Sequence, residues 1–282
     1  MNFLKTAKPI LDKEVVSVLE DTKIFNNSDE YPVFFYNQQF IKNHRQWISK
    51  SKNFKIENLD EFTNAYVTFG NTDAFNDFYF LHKKVYVLKG EYAYHQKIGV
   101  KVLDHIGLLD PYSALIISYP FSASGKVHPD WDKIIEFCTD RHCQVFLDLS
   151  FFGISCNQHL VIPECVTHVA FSFSKMFCTG SLRTGVLYTR YKNNTPLHIQ
   201  NHHMYTNHIG TVLHNKLMQN FSPDWIIDKY LQPSKTVCKN FGLEESDTII
   251  FGLGSSPDYD DYSREGIVNR VCISREIQKL VM

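Results

Sequence analysis

Between about residue 64 and residue 189, short apolar runs recur between stretches of helical period. They are AYVTF (65–69), KVYVL (84–88), GVKVL (99–103), ALIIS (114–118), QVFLDL (144–149), HVAFSF (168–173) and GVLYT (185–189). Several are rich in Val, Ile and Phe without polar alternation. Strands buried on both faces of a mostly parallel sheet carry this pattern, because neither face meets water. Between them, HPDWDKIIEFCTDRH (128–142) predicts a helix. Pro129 fits its first turn, Asp130 suits its positive end, and Trp131, Ile134, Ile135 and Cys138 fall on one face. Alternating strands and helices predict an α/β fold, a mostly parallel seven-stranded sheet with helices on both faces. Function is expected at the carboxyl ends of its strands.

Three segments follow from the same pattern. Residues 1–60 form a mixed, aromatic and polar N-terminal segment, and residues 61–190 form the large core. In 191–282 the pattern weakens, and there HIQNHHMYTNHIGTVLHNKLMQNF (198–221) predicts a long connecting helix. DTIIFGL (247–253) and NRVCIS (269–274) predict strands of a reduced terminal subdomain.

Composition narrows the function classes. With 44% hydrophobic and 21% charged residues, the chain reads as an ordinary globular protein. Its net charge is −1 and its 29 basic residues are scattered, which argues against a nucleic-acid partner. Seven cysteines form no CxxC pair and have mostly apolar neighbours, the usage of reduced thiols in an intracellular, cytoplasmic protein. No apolar run reaches the length of a membrane span, and the N-terminus has no sustained apolar stretch of an export signal.

Four strand ends carry chemistry. TFGNTDAFNDF (68–78) runs a strand through Gly70, Asn71 and Thr72 into a helix pattern. Such a turn is either an ordinary tight turn or an anion site at a helix start, where glycine lets a phosphate approach. SYPFSASGKV (118–127) is a polar turn after a strand. VFLDLSFFG (145–153) sets Asp148 inside an apolar strand end, where a carboxylate needs a partner or a task. AFSFSKMFCTGSLRTG (170–185) puts Lys175 directly behind an apolar strand, with Arg183 eight residues on. An ammonium there is costly unless it is paired or used.

Together the four fit one chemistry. A phosphate-bearing pyridine aldehyde needs a lysine to join it, a carboxylate to keep its ring nitrogen protonated, and donors for its phosphate. Lys175, Asp148 and the set Gly70, Asn71, Thr72, Ser172, Ser174 and Arg183 supply these. The planar fork of Arg183 suits a phosphate.

These residues resemble, in order and spacing, the class I/II aminotransferases of the fold-type I pyridoxal-phosphate superfamily. The match is carried by Ser172-Phe173-Ser174-Lys175, then by Gly180-Ser181-Leu182-Arg183-Thr184-Gly185, and by Asp148, 27 residues before the lysine. The turn at Ser122-Ala123-Ser124-Gly125 stands where that family has Asn-Pro-x-Gly. The resemblance covers about 60–190 and is faint elsewhere.

It implies a homodimer that binds pyridoxal 5'-phosphate and acts on an amino acid and a keto acid as an aminotransferase; the departures at Ser122 and Phe151 point to a specialised biosynthetic pathway. It implies Lys175 as Schiff-base lysine and proton shuttle, Asp148 as the partner of the pyridine nitrogen, and Tyr92 or Tyr94 as the aromatic stacked on the ring. A lyase or cyclase reaction on the same cofactor, or a non-catalytic relative that kept the fold, is the other reading.

The pattern breaks in three places. The family's Asn and Tyr at the cofactor's phenolic oxygen are Ser122 and Phe151 here. Losing the Tyr hydroxyl should raise the pKa of the lysine–cofactor imine unless Ser122 compensates. The chain is shorter than typical relatives, mostly in the terminal small domain, which predicts a more open site for a bulky substrate. For the substrate carboxylate the family uses a C-terminal arginine. Arg270 in NRVCIS is the candidate, and a surface arginine at a strand edge is the equal alternative. His198, His202, His203, His208 and His214 read as a solvated helix face, with no metal expected.

Overall fold

The computed structural model describes residues 3–24 and 33–281. Its centre is a seven-stranded sheet of β1 (Asn64–Thr68), β2 (Val85–Leu88), β3 (Lys101–Leu103), β4 (Ala114–Ser118), β5 (Gln144–Leu149), β6 (Val166–Ser172) and β7 (Gly185–Thr189). The spatial order is β1-β7-β6-β5-β4-β2-β3. β7 runs antiparallel to both neighbours, and all other pairings are parallel. Each apolar run of the core segment thus forms a strand of the expected sheet.

Strand alternation divides the core into two layers. Leu115, Ile117, Val145, Leu147, Leu149, Val169 and Phe171 join one hydrophobic cluster, while Ala114, Ile116, Phe146 and Ala170 join the other. Against the first layer pack α1 (Lys13–Asp21) through Val15 and α2 (Val33–Ile48) through Phe40, Trp47 and Ile48. On the second lies α3 (Asn71–Leu81), whose Phe75 and Phe78 meet Phe146 edge-on at 5.2 and 5.3 Å. Burying each such ring contributes roughly 1.5–3 kcal/mol, enough to fix the start of α3 over the end of β5.

The short α4 (Ala93–Lys97) and α5 (Trp131–Asp140) complete the core segment. In α5 Ile134 and Cys138 are buried as expected, but Pro129 lies outside the helix, before the N-cap Asp130.

The long helix expected over 198–221 is instead two, α6 (Pro196–His202) and α7 (His208–Asn220). Met204 takes a left-handed φ of 62°, and Asn207 caps α7 by accepting the Gly210 N–H, so the chain restarts rather than continuing. His214 is not on a solvated face. It is fully buried, with its ring nitrogens hydrogen-bonded to the Gly210 carbonyl and the Thr179 hydroxyl.

α8 (Trp225–Asn240) leads to a three-stranded antiparallel sheet, β8 (Glu244–Glu245), β9 (Phe251–Gly254) and β10 (Asn269–Cys272), followed by α9 (Ser274–Val281). The N-terminal segment returns to this sheet, because Leu4 bridges Cys272. No described helix is long and apolar enough to cross a membrane.

Candidate active site

Register sets the floor of the site. Ser118 pairs with Asp148, and Asp148 with Ala170, in one row across β4, β5 and β6. Two residues beyond Ala170, Ser172 pairs with Gly185. Asp148 has the parity of Phe146, so it faces the α3 side of the sheet, at the strand end where Lys175 follows β6. A cavity of about 490 Å³ opens there, and both Asp148 and Lys175 line it.

The carboxylate of Asp148 is buried and held by donors. Its Oδ1 accepts from the Ser150 N–H at 2.9 Å, from the Ser150 hydroxyl at 2.6 Å and from Asn71 Nδ2. Burial pushes its carboxyl above the usual range, while the bonds from Ser150 and Asn71 and the charge of Lys175 pull it back. Asn71 therefore divides the predicted phosphate loop. Its side-chain amide also reaches the Ser150 hydroxyl and the Ala170 carbonyl, so the side chain serves the carboxylate.

Thr72 lies with Arg183 and Ser174. Arg183 donates to the Thr72 and Ser174 hydroxyls at 3.4 Å each, and the Ser172 hydroxyl donates to that of Ser174 at 3.0 Å. Arg183 itself is held at a left-handed φ of 47°, a backbone state that non-glycine residues seldom adopt. Gly70, the N-cap of α3, sits at φ 79° against it, and a Cβ there would come within 2.9 Å of Arg183 Nη2. The cavity wall there presents three hydroxyls and a guanidinium that has no ion-pair partner among the described residues, a cradle against which residue 70 is packed. Its donor set fits a phosphate.

Lys175 is partly buried, and its Nζ donates to the Ala7 carbonyl at 2.9 Å. Burial holds its ammonium below the usual lysine range, and the positive charges of Lys8, Arg183 and Arg270 add to that. A lysine depressed in this way is a better nucleophile near neutral pH.

Tyr92 and Tyr94 both border the cavity and stack on each other at 6.0 Å. Ser122 lines it too, its N–H bonded to the Ser118 hydroxyl, and Phe151 lies beside Phe251. Arg270 is not a surface residue. Only 3% exposed, it lines the cavity, donates Nη1 to the Ser122 carbonyl and lies 4.1 Å over the Phe251 ring. Burial lowers its pKa to about 9, with the charge of Arg264 adding.

Four contributors had no reading from sequence. The segment Thr6–Lys8 walls the cavity, Ser150 fixes Asp148, and Arg264 lines the mouth. Glu91 is buried behind it, its carboxylate accepting the Ser118 N–H at 2.8 Å and the Ser118 hydroxyl, and burial raises its pKa to about 7. Only Glu91 left a trace in the sequence, a carboxylate beside Tyr92. Among the described residues no group of three or more His, Cys, Asp or Glu side chains gathers as metal ligands would.

No family model matches the chain, and no curated protein matches it in sequence. Solved structures do match in shape. An aminotransferase from Mycobacterium tuberculosis superposes with a TM-score of 0.68 at 12% identity, over 99% of this chain and 88% of that one. A PLP-bound C-S lyase from Staphylococcus hominis, in its external aldimine form with L-cycloserine, gives 0.67 at 11% identity, over 97% and 85%. Tyrosine aminotransferase from Leishmania infantum gives 0.66 at 12% identity, over 97% and 90%. The fold is thus the fold-type I architecture that these enzymes share, in a sequence far diverged from theirs.

Proposed function

We propose that the chain is a pyridoxal-phosphate-dependent enzyme that transfers the amino group of an amino acid to a keto acid. The observation that carries this reading is the convergence of Lys175, buried Asp148 and the Arg183–Ser174–Thr72 cluster on one cavity. When bound, the cofactor supplies a ring that draws electrons from the substrate carbon next to the amine. Lys175 would hold the cofactor through its amine and would move the proton at that carbon. Asp148, oriented by Ser150 and Asn71, supplies the negative charge for the ring nitrogen. Arg183, Thr72, Ser172 and Ser174 hold the phosphate, Tyr92 covers the ring, and Arg270 takes the substrate carboxylate. Ser122 offers one hydroxyl where Phe151 offers none, so a bound cofactor's phenolic oxygen would meet fewer donors than in the family pattern. A homodimer is part of the same reading.

Purified protein with added pyridoxal phosphate should absorb near ~420 nm, and Lys175→Ala should lose that band. A wild-type chain without it would overturn the assignment. The matching lyase fold supports elimination as the second reading. Release of ammonia without formation of the aminated cofactor would decide for it.

A further inference from the structure

Glu91 is a buried acid to which the reading above gives no task. Only 5% exposed, it follows β2 and stands behind Ser118, the β4 residue that lines the cavity and pairs with Asp148 across the sheet. Glu91 Oε1 accepts the Ser118 N–H at 2.8 Å. The Ser118 Oγ lies 2.9 Å from Oε1 and 2.8 Å from Oε2, and it accepts the Ser122 N–H at 2.8 Å. Both carboxyl oxygens thus lie within bonding reach of a hydroxyl, which has one hydrogen and two lone pairs. Ser122 takes one lone pair. With Glu91 ionised, the hydrogen is spent on the carboxylate and Ser118 has nothing to donate elsewhere. With Glu91 neutral, its own O–H fills the second lone pair, and the Ser118 hydrogen is free for an acceptor in the cavity.

The surroundings favour the neutral acid. Burial disfavours the charged form, and the negative charge of Asp148 adds to this against the bonds from Ser118 and the Tyr92 N–H, so the midpoint rises to about 7. Among the described residues no cation lies within 4 Å of the carboxyl. The charged and titratable groups packed around it are engaged elsewhere. The Arg264 guanidinium reaches only the Glu91 carbonyl, at 3.4 Å, and Glu265 accepts the Gly90 N–H at 2.7 Å. Lys89 pairs with Asp104 at 3.9 Å, His95 of α4 is bonded to Tyr79, and Arg270 donates to the Ser122 carbonyl.

Resting on the cofactor reading above, we infer that Ser118 is a further donor to a bound cofactor's phenolic oxygen, beside Ser122, and that Glu91 positions it. The neutral acid turns the Ser118 hydroxyl toward the cavity, and the ionised acid turns it away. Ser118 thereby supplies the hydrogen bond that Phe151 does not. Glu91 touches neither cofactor nor substrate and acts only through the hydroxyl.

The test follows the ~420 nm band of the full-length protein, loaded with pyridoxal phosphate, as pH is raised. A donor to the phenolic oxygen lowers the pH at which that band titrates. Ser118→Ala removes the donor and should raise the midpoint. In Glu91→Gln the amide donates to Oγ at every pH, so the midpoint should lie on or below that of the wild type. The two variants should differ by about one pH unit or more, the tenfold worth of one charge-assisted bond. A midpoint in Ser118→Ala at or below the wild type, or one in Glu91→Gln above it, overturns the inference. So does a Glu91→Gln shift that is as large without the hydroxyl, in the double variant, as with it. Carbon-13 NMR of glutamate-labelled, cofactor-free wild type reads Glu91 as the glutamate that titrates near pH 7, and loading should raise that midpoint. No glutamate titrating above the ordinary range, or a midpoint that stays or falls on loading, also overturns the inference, and this measurement decides if a variant does not fold. Failure of the cofactor reading shows separately, as a missing ~420 nm band, while the cofactor-free midpoint is read regardless.

Discussion

Replacing Asn71 by alanine removes one donor from Asp148 and leaves Ser150 in place. The amide donates to Oδ1 of the carboxylate, to the Ser150 hydroxyl at 2.9 Å and to the Ala170 carbonyl at 3.1 Å. A hydrogen bond to a neutral acceptor is worth about 1 kcal/mol, and one to a charged acceptor about 1.5–3 kcal/mol. Burial raises the carboxyl of Asp148 in the folded chain. Its stabilising share is therefore full at acid pH, below the unfolded value, and is lost as pH rises through the folded value. Removing a donor to the charged form raises the folded value further, so the penalty of Asn71→Ala must grow with pH. Urea unfolding without added cofactor should show a loss of about 1 kcal/mol near pH 4 and roughly 2–3 kcal/mol near pH 9. Parallel stability curves for the two proteins across that range would refute the reasoning, since they would mean that Asn71 never meets a charged carboxylate.

Other outcomes follow from the same geometry. Glu91 has its pKa raised from 4.5 to about 7 by burial, so the wild type should lose stability, on the order of 3 kcal/mol at most, as pH rises across that window. Glu91→Gln should flatten the curve, as measured by unfolding at several pH values. Gly70→Ala drives a Cβ to 2.9 Å from Arg183 at a left-handed φ, and should weaken retention of pyridoxal phosphate at least about tenfold by equilibrium dialysis. Phe173→Ala empties a site packed against His214 at 4.5 Å and Phe177 at 6.2 Å, two residues before Lys175. Thermal or urea unfolding should report a loss of about 3–5 kcal/mol.

Much of the site was legible because its residues sit at the ends of strands that are themselves easy to read. Lys175 and Asp148 stood out as charges set into apolar runs, where only a task or a partner accounts for them. Arg183 and the serines followed from their fixed spacing to the lysine. Arg264 and the Thr6–Lys8 segment could not be found this way. They lie in irregular stretches far from the core in sequence, and nothing local marks a loop arginine as part of a cavity wall. His214 was misread for a related reason, since its helix carries polar residues on most positions and burial there depends on Thr179 and Phe173 across the fold.

The sequence alone determined the sheet and the parity of its strands. Side chains alternate strictly along a strand, and apolar runs of five to seven residues admit few other structures. That parity already placed Asp148 on the same face as Phe146. The tertiary structure decided which distant groups meet there: it joined the Asn71 side chain to the carboxylate, and it broke the connecting helix at Asn207. It also folded Ala7 over Lys175 and set Arg264 beside Arg270. These contacts join positions up to 168 residues apart, and no periodicity in the chain records the burial or the competing hydrogen bonds that select them.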